Sequence, residues 1–337
     1  MSIRILFIAG FLLLNAIPSF ANVANQKNVL DNPIIASFIN DMVKKHQFDR
    51  QALNSMFSTV KLMPEIIEKM TRPAESLPWH RYKNIFLKDK RIDQGIQFWN
   101  ENTERLQQAE KKFGVPAQII VAILGVETRY GRITGGYRLI DSLSTIVIDY
   151  PKRRSFFKKE LEQLLLLARE ESFDPLSLTG SYAGAMGKPQ FIASSYRHYA
   201  IDFDGDGVRD LLNNTADAIG SIASYLSRHG WQRGNPVTIP ATVSNDSYKR
   251  FLKKGMKPKV ALNKIDSYGV SVKSLPKKSL NASLVELEQE SGNEYWLGLP
   301  NFYAITRYNH SNLYAMAVFQ LSEAVKLKRE QKTISLK

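Results

Sequence analysis

Residues 117–131 have the sequence Ala-Gln-Ile-Ile-Val-Ala-Ile-Leu-Gly-Val-Glu-Thr-Arg-Tyr-Gly, an almost wholly apolar segment that contains one carboxylate, Glu127. Pro116 stands immediately before the segment, where the first turn of a helix tolerates proline. At about 100° per residue, Glu127 falls within the arc that the isoleucines and Val126 occupy. The sequence therefore predicts a buried helix with a carboxylate near its C-terminal end.

A carboxylate in such a helix suggests an acid catalyst. Burial among apolar side chains disfavours the charged form of a carboxyl group, so we expect a raised pKa for Glu127 and a proton held near neutral pH. The glycine-rich loop 131–136 follows at once and leaves space for a ligand. The residues alone leave a second interpretation open, in which Glu127 forms a structural ion pair with Arg129 or Arg132.

The rest of the chain predicts a mostly helical protein with some strands. Residues 33–115 carry apolar side chains at helical spacing, and further helices are predicted at 155–171 and 215–229. Residues 283–308 alternate apolar and polar positions in places, which indicates strands. Ser311 is placed to cap a last helix. The predicted fold class is therefore α+β, mostly helical.

The N-terminal residues 1–21 have the layout of a secretory signal peptide. Arg4 precedes the apolar run Ile5–Leu14, and small residues at Ser19 and Ala21 indicate cleavage after Ala21. The apolar run is short for a membrane span, and a retained N-terminal anchor is the alternative. The chain contains no cysteine that could carry a lipid anchor. The sequence predicts an exported, soluble, periplasmic protein.

The chain is strongly basic, with a formal charge of +14 from 46 Lys and Arg against 32 Asp and Glu. These basic residues are scattered rather than grouped in blocks, and export argues against nucleic acid as the partner. A basic surface of this kind attracts an anionic polymer such as a peptide-bearing cell wall. Because there is no cysteine, packing must stabilise the fold, with help from a bound metal.

An acidic segment predicts that metal site. Asp202, Asp204 and Asp206 stand at alternate positions, Gly207 permits a sharp turn, and Val208 offers a backbone carbonyl, as in the first positions of an EF-hand loop. Oxygen ligands select a hard cation such as Ca²⁺, and crowded carboxylates repel one another without a cation. An acidic turn without metal is the alternative. The sequence has no zinc motif, and no organic cofactor is predicted.

The segment Val121–Gly131 resembles the catalytic motif of the B-type membrane-bound lytic murein transglycosylases, which have a lysozyme-like catalytic core. Other segments resemble the same family, in one order and at compact spacing. They are Asp149–Arg153, Gly180–Phe191, Ser194–Tyr196, Asp202–Asp217, Asp217–Tyr225, His229–Trp231, Leu299–Tyr303 and Ile305–His310. Motifs that cover most of the chain are far more specific than a single short pattern.

The resemblance implies chemistry that needs one carboxyl group, whereas ordinary glycosidases use two. In this family the glutamate that corresponds to Glu127 protonates the glycosidic oxygen of the β-1,4 bond between N-acetylmuramic acid and N-acetylglucosamine in peptidoglycan. It then takes a proton from the muramoyl 6-hydroxyl, and a 1,6-anhydro ring closes, with help from the N-acetyl group. The chain is therefore expected to be a lytic transglycosylase.

The resemblance also assigns positions that bind the glycan. Ser181 and Gln190 match positions that hydrogen-bond the sugar, although turn chemistry is the alternative in a glycine-rich loop. Lys152 and Arg153 match a basic pair near the lactyl or peptide carboxylates, and lysine binds a carboxylate less specifically than arginine. Positions on the groove walls or the catalytic centre, where packing alone is the alternative for the aromatic rings, are Tyr82, Phe191, Tyr225, Tyr308, Asn309 and Tyr314.

The same comparison completes the calcium loop. The twelfth loop position holds Asn213, where an EF-hand has a bidentate glutamate. In the family an aspartate just before the next helix closes a longer loop, and Asp217 stands at that position. The expected metal ligands are Asp202, Asp204, Asp206, Val208 and Asp217.

The sequence pattern and the resemblance together divide the chain into a signal peptide and four further parts. Residues 22–115 form a helical domain that the C-terminal segment completes, and residues 116–235 form the lysozyme-like core with its EF-hand-like loop. Residues 236–310 form a small β-containing domain, and residues 311–337 form a C-terminal helix and a charged tail. The expected partners are peptidoglycan glycan strands and other cell-wall enzymes, for a protein that is itself a monomer.

Two other functions stay open from the sequence. A hydrolytic muramidase would need a second carboxylate in the groove, for which Asp141 or Asp149 could serve. A non-enzymatic, calcium-stabilised wall-binding protein would need no acid on the helix that carries Glu127.

Overall fold

A computed structural model describes residues 28–71 and 77–334, so the predicted signal peptide lies outside the described residues. The helices are α1 (Pro33–His46), α2 (Arg50–Ser58), α3 (Glu65–Met70), α4 (Trp79–Phe86), α5 (Asp89–Glu101), α6 (Thr103–Phe113), α7 (Ala117–Thr128), α8 (Leu139–Asp149), α9 (Arg154–Glu170), α10 (Ala193–Tyr199), α11 (Thr215–Arg228), α12 (Tyr248–Leu252), α13 (Pro300–Tyr308) and α14 (Asn312–Ile334). The strands are β1 (Tyr137–Arg138), β2 (Thr179–Gly180), β3 (Thr238–Val243), β4 (Val260–Ala261), β5 (Val270–Ser271), β6 (Asn281–Glu288) and β7 (Asn293–Gly298). The mostly helical α+β prediction is confirmed.

The helix α7 lies at the centre of the larger hydrophobic core, and its residues from Ile119 to Thr128 are all buried. A helix that is apolar on every side has no face for solvent, which is why the sequence gives it no polar stripe. The helices α5, α6, α11 and α14 pack around it.

The last helix, α14, packs against helices from the N-terminal part of the chain. It packs along α7 and against α4, α5 and α13. The predicted cap is present, because the Ser311 hydroxyl accepts a hydrogen bond from the Tyr314 amide at 3.3 Å. Because α14 lies between N-terminal helices and α7, residues far apart in sequence meet beside the C-terminal end of α7.

The small sheet has the order β4-β6-β7-β3-β5, and every neighbouring pair is antiparallel. It encloses a second, separate apolar cluster that includes Phe251, Ile265 and Leu284. The prediction of strands up to Tyr308 was wrong beyond Gly298. Pro300 takes the first position of α13 instead, where its missing N–H costs nothing, and Phe302 and Ile305 bury one helix face in the larger core.

A two-stranded ribbon brings together the glycine-rich loop 131–136 and a second glycine-rich loop, residues 178–190. Tyr137 pairs with Gly180 and Arg138 pairs with Thr179 in an antiparallel register. Gly135 has φ +98°, and a Cβ atom there would lie 2.2 Å from the carbonyl carbon of Gly180. Only glycine allows this approach, so the loop after α7 and the loop around Ser181 are held in contact.

The described part of the chain contains no helix with the length and apolar character that a membrane crossing requires.

Candidate active site

The carboxylate of Glu127 lies on the last turn of α7, and the residue is only 7 % exposed. The helix ends because Arg129 and Tyr130 adopt left-handed φ values of 49° and 64°. The Tyr130 amide then bonds the carbonyl of Leu124 at 2.9 Å, which satisfies one of the last carbonyls of the helix. The chain turns sharply after Glu127, and this turn leaves the carboxyl group at the edge of the core.

The side chain of Tyr130 stabilises that turn. Its ring stacks on Phe98 with centroids 5.6 Å apart, and its hydroxyl donates to the Arg91 carbonyl at 2.9 Å. The hydroxyl fits beside α7 because Gly125 has no side chain: a Cβ there would lie 2.6 Å from the oxygen. Left-handed backbone costs a non-glycine residue about 1–2 kcal/mol, and these contacts offset the cost.

Two stacked tyrosines face Glu127. The Tyr314 hydroxyl donates to Oε1 of Glu127 at 2.6 Å, and the Tyr308 ring lies parallel to the Tyr314 ring, with centroids 6.3 Å apart. Burial, and then the negative charge of Glu127, raise the pKa of both phenols well above the ordinary value. Both hydroxyls therefore keep their protons, and that of Tyr314 donates its hydrogen bond to the carboxylate.

The hydroxyl of Tyr308 donates to the Pro189 carbonyl at 2.5 Å and so fastens α13 to the second glycine-rich loop. Phe191, in the same loop, packs against Tyr308 and Tyr225 with centroid distances of 5.7 and 5.5 Å. Tyr225 donates in turn to the Arg307 carbonyl at 2.6 Å. The structure thus brings Phe191, Tyr225 and Tyr308 into one buried aromatic cluster that adjoins Glu127.

Two other predicted residues lie at this end of the core. Tyr82 is fully buried on α4, where it packs against Phe86, and its phenol is close enough to contribute to the raised pKa of Tyr314. Asn309 is 2 % exposed and follows Tyr308 directly at the end of α13. Tyr82 belongs to the N-terminal part of the chain and Asn309 to the C-terminal part, and the fold brings both to this end of the core.

Ser181 and Gln190 both take part in turns of the second glycine-rich loop. The Ser181 hydroxyl accepts a hydrogen bond from the Ala185 amide at 3.0 Å. The Gln190 side-chain amide donates to the carbonyls of Thr134 and Gly187, each at 2.9 Å. The turn chemistry that the sequence left as an alternative is therefore present, and sugar binding by these side chains stays a prediction.

The basic pair lies in the 3-10 turn Pro151–Arg153, before α9. Lys152 is exposed, whereas the Arg153 guanidinium lies over the Phe156 ring at 4.6 Å and over the Phe157 ring at 5.2 Å. Burial lowers the pKa of Arg153. Binding of substrate carboxylates by this pair stays a prediction.

The two rival carboxylates are placed differently from Glu127. Arg138 donates to both carboxylate oxygens of Asp141, at 2.8 and 2.7 Å, and the Lys61 amide donates to one of them. Asp149 is exposed at the end of α8. Of the predicted ion-pair partners of Glu127, Arg132 donates to Gln97 at 3.4 Å and Arg129 is exposed.

The acidic loop gathers three of its carboxylates. One oxygen each of Asp202, Asp204 and Asp217 lies within 4.8 Å of the others. Burial raises the pKa of Asp217, and the carboxylates of Asp204 and Asp202 raise it further. Backbone amides of Phe203 and Asp210 donate to Asp217 at 2.7 and 2.8 Å and hold it in place. This oxygen-rich, mutually repelling set is suited to a hard cation.

Asp206 is not part of that carboxylate cluster, and Val208 would contribute only its backbone carbonyl. Asp206 accepts from the Val208 amide at 2.9 Å, and the Val208 side chain is 41 % exposed. Asp202 accepts from the amides of Gly205 and Gly207 at 2.7 and 2.8 Å. The loop therefore has its sharp turn, while ligation by Asp206 and Val208 stays a prediction.

Comparison with known proteins decides the family. The model of the transglycosylase SLT domain matches residues 31–323. The chain belongs to this transglycosylase family. It is 42% identical over 311 residues to membrane-bound lytic murein transglycosylase B of Escherichia coli strain K12, across 89% of this chain and 85% of the relative.

Solved structures of SLT transglycosylases match over nearly their whole length. Soluble lytic transglycosylase SltB1 from Pseudomonas aeruginosa is 46% identical, with a TM-score of 0.83 over 88% of this chain and 100% of that one. The Escherichia coli lytic transglycosylase Slt35 in complex with calcium is 42% identical, with a TM-score of 0.81 over 90% of this chain and 98% of that one. These matches confirm the resemblance inferred from the motifs.

The sequence did not predict one connection in this SLT transglycosylase. The Thr128 hydroxyl donates to the Lys188 carbonyl at 2.8 Å, and the Lys188 amide donates to the Leu211 carbonyl at 2.9 Å. Lys188 Nζ also donates to the Asn213 carbonyl. Lys188 therefore links the end of α7 to the acidic loop. The sequence carried little signal of this role, because a lysine in a loop has no distinctive pattern, although Lys188 stands two residues before Gln190.

Proposed function

We propose that this protein is a lytic murein transglycosylase whose acid and base are the same residue, Glu127. It cleaves the β-1,4 bond between N-acetylmuramic acid and N-acetylglucosamine in peptidoglycan and leaves a 1,6-anhydro-N-acetylmuramic acid end. The observation that supports this role is the buried carboxyl group of Glu127, at the end of an apolar helix and hydrogen-bonded to Tyr314.

The reaction has two proton transfers. Glu127 first gives its proton to the glycosidic oxygen, and the bond from that oxygen to the muramoyl anomeric carbon breaks. The carboxylate then takes the proton of the muramoyl 6-hydroxyl, whose oxygen bonds to the anomeric carbon and closes the ring. The second step is intramolecular, so a well-oriented 6-hydroxyl competes effectively with water. Tyr314 stabilises the carboxylate between the two steps by its hydrogen bond.

We propose that the surrounding residues hold the glycan. The aromatic rings of Tyr82, Phe191, Tyr225 and Tyr308 exclude water and shape the groove. Ser181, Gln190 and Asn309 supply hydrogen bonds to the sugar next to Glu127. Lys152 and Arg153 bind lactyl or peptide carboxylates, with Arg153 held in a fixed position over Phe156.

Hydrolysis by a second carboxylate is the weaker candidate. A hydrolase needs a carboxylate that activates water or forms a covalent intermediate. Asp141 is already bound to Arg138, and Asp149 is exposed at a helix end. Neither has the buried position that Glu127 has, and similarity to lytic transglycosylases favours the non-hydrolytic reaction.

We also propose that the acidic loop binds a structural Ca²⁺ ion. The oxygen atoms of Asp202, Asp204 and Asp217 would hold it, with Asp206 and the Val208 carbonyl as further ligands. A cation would remove the repulsion among carboxylates that raises the pKa of Asp217. Calcium is bound by one solved relative, which supports this assignment. The ion would brace the loop and take no part in the chemistry.

We place the protein in the periplasm, where the murein substrate lies, after export by the N-terminal signal. The net charge of +14 suits an anionic wall polymer, and we expect a monomer that also associates with other cell-wall enzymes.

Analysis of the reaction products tests this function. Purified murein sacculi should yield muropeptides with 1,6-anhydro-N-acetylmuramic acid ends, one water lighter than a lysozyme product, and should take up no label from heavy-oxygen water. If reducing-end muramic acid that carries the label dominates instead, the protein is a muramidase. If sacculi bind without cleavage, it is a wall-binding protein.

A further inference from the structure

Lys188 lies between the end of α7 and the acidic loop, and the proposed reaction gives its side chain no role. Its backbone carbonyl accepts a hydrogen bond from the Thr128 hydroxyl at 2.8 Å, and its Nζ atom donates to the Asn213 carbonyl. The side chain is half-buried, and burial lowers the pKa of its ammonium group, which the charge of Asp210 opposes. An ammonium group that gives up hydration in this way makes a defined contact rather than a solvated surface charge.

On the side of α7, Lys188 supports the turn that follows the proposed acid. Thr128 is adjacent to Glu127 and 1 % exposed, and its hydroxyl accepts a hydrogen bond from the Gly131 amide at 2.9 Å while it donates to Lys188. The aliphatic stem of Lys188 lies against Gly131, where a Cβ atom would be 3.2 Å from three of its carbons. The turn 128–131 therefore rests on both the backbone and the stem of Lys188.

The residue after Lys188 reaches the same carboxyl group by a second route. The Pro189 carbonyl accepts the hydrogen bond of the Tyr308 hydroxyl at 2.5 Å. Tyr308 stacks on Tyr314, and Tyr314 donates to Glu127. A displacement of residues 188–189 would therefore move Glu127 and its hydrogen-bond donor relative to each other.

On the other side, the same segment is held tightly against the acidic loop. The Lys188 amide donates to the Leu211 carbonyl at 2.9 Å. Gly187 has φ +71°, and a Cβ atom there would lie 2.4 Å from the carbonyl oxygen of Leu211. Only glycine permits so close an approach. With the contact of Nζ to Asn213, three successive groups of residues 187–188 lie against the acidic loop.

The position of Asn213 depends in turn on the carboxylate cluster of Asp202, Asp204 and Asp217. Asp210 accepts hydrogen bonds from the backbone amide of Asn213 at 2.9 Å and from its side chain at 3.1 Å. The Asp210 amide donates to Asp217 at 2.8 Å. A change within the cluster therefore acts, through Asp210, on the carbonyl group to which Lys188 is bound.

We propose that Lys188 is a positioning residue for Glu127, and that its contact with Asn213 makes the geometry of the acid depend on whether the acidic loop holds a cation. The inference rests on the proposed function, in which Glu127 is the acid and the loop binds Ca²⁺. Lys188 acts through Thr128 and through Tyr308 rather than on the reacting atoms. Because coupling between two sites is reciprocal, the bound cation and the ordered turn 128–131 favour each other.

The first test separates positioning from substrate binding. Lys188→Met keeps an aliphatic stem against Gly131 and removes Nζ. With calcium present it should lower kcat on murein glycan strands by about twofold to thirtyfold, the range that coupling residues show. KM should be unchanged, because the loss affects the transition state rather than substrate binding. Lys188→Arg should recover most of kcat, since arginine also donates to the Asn213 carbonyl.

The matched control is Lys254→Met in the small domain, an exposed lysine whose Nζ atom lies over the Tyr268 ring at 5.7 Å. It should leave both kcat and KM at the wild-type values. A raised KM with an unchanged kcat in Lys188→Met would show that Lys188 binds substrate, and the inference would be wrong. An equal fall of kcat in the control would overturn it as well.

The second test does not depend on activity. Hydrogen–deuterium exchange is measured by mass spectrometry for peptides that cover residues 129–133, whose Gly131 amide bonds Thr128. In the wild-type protein, chelator should speed this exchange relative to calcium. In Lys188→Met the exchange should be fast in both conditions, although calcium should still raise the melting temperature, because Lys188 is not a metal ligand. Wild-type exchange that ignores calcium, or a variant that responds as the wild type does, would overturn the inference.

The two tests also distinguish this inference from the proposed function. If the wild-type protein forms no anhydromuramoyl product, the proposed function fails, and the exchange measurement still decides whether Lys188 couples the acidic loop to the turn. If the product forms but wild-type exchange is the same in calcium and in chelator, only the coupling fails.

Discussion

The hydroxyl of Tyr314 donates a hydrogen bond of 2.6 Å to the carboxylate of Glu127, which lies 187 positions earlier in the chain. The bond joins α14 to the last turn of α7. The carboxylate therefore has its final surroundings only when α14 is packed against α7.

Glu127→Gln should abolish murein cleavage and leave the fold intact. Glutamine keeps the size of the side chain and can still accept the hydrogen bond of Tyr314, but it cannot donate and recover a proton. General acid–base catalysis typically contributes about a hundredfold or more. Anhydromuropeptide release and the melting temperature are measured together. Turnover above about a hundredth of the wild-type value would contradict the role of Glu127.

Tyr314→Phe should lower kcat by about tenfold to a hundredfold and change KM much less. It removes one hydrogen bond to a charged group, which is worth about 1.5–3 kcal/mol. The matched control is Tyr295→Phe, which removes a tyrosine–carboxylate bond of 3.0 Å to Glu286 in the small domain. The control should leave kcat unchanged. An equal effect of both variants on kcat would mean that Tyr314 acts only through general stability.

Calcium should raise the melting temperature, and Asp217→Asn should remove this rise. A ligand that binds only the native state stabilises it by about 2.7 kcal/mol at one hundred times its Kd. In a domain of this size that corresponds to roughly 5 °C. Calorimetry with calcium and with chelator measures the difference. Asp246→Asn is the control, because Asp246 is exposed and pairs with Lys249 away from the loop.

The informative quantity is the difference between the melting temperatures in calcium and in chelator, rather than either melting temperature by itself. Asp217 also accepts hydrogen bonds from Phe203 and Asp210, so its replacement affects the metal-free protein as well. Coincident melting curves of the wild-type protein in calcium and in chelator would show that the acidic loop does not bind calcium.

The free energy of unfolding should decrease as the pH falls from about 6.5 to about 4, with His310 as one cause. The ordinary pKa of histidine is about 6.5. In the folded protein the pKa of His310 is lowered to about 4, by burial first and then by the charges of Arg307 and His229. Between these values the unfolded chain binds more protons, so lower pH favours unfolding. The Arg307 guanidinium can only donate, and protonation of His310 would therefore also break their hydrogen bond.

His310→Gln should weaken this pH dependence, because glutamine accepts the Arg307 hydrogen bond at every pH. Urea unfolding at several pH values between 4 and 7 measures the slope. His198→Gln, at an exposed position, serves as the control and should keep the wild-type slope. A slope that is the same in all three proteins would rule out His310 as a contributor.

The candidate site was only partly predictable. The motifs placed Tyr308 and Tyr314 near the acid by resemblance, but the contact with Glu127 depends on how α13 and α14 fold back. Residues 300–308 were expected to be strands, because short apolar alternation is ambiguous between strand and helix, whereas Pro300 begins a helix. Arg307 and His310 lay within a matched motif, yet nothing in the sequence indicated that they would meet His229 across a groove.

The sequence by itself determined the buried helix 117–128, the mostly helical class and the acidic loop, because each depends on neighbours a few positions apart. Helical spacing, a proline at a helix start and alternate aspartates are local patterns. Tertiary structure alone decided which side chains surround Glu127, how Lys188 links α7 to the acidic loop, and how His198, His229 and His310 come to line one groove. Those contacts join residues tens to hundreds of positions apart, and their distances are set by how whole helices pack, which no local pattern encodes.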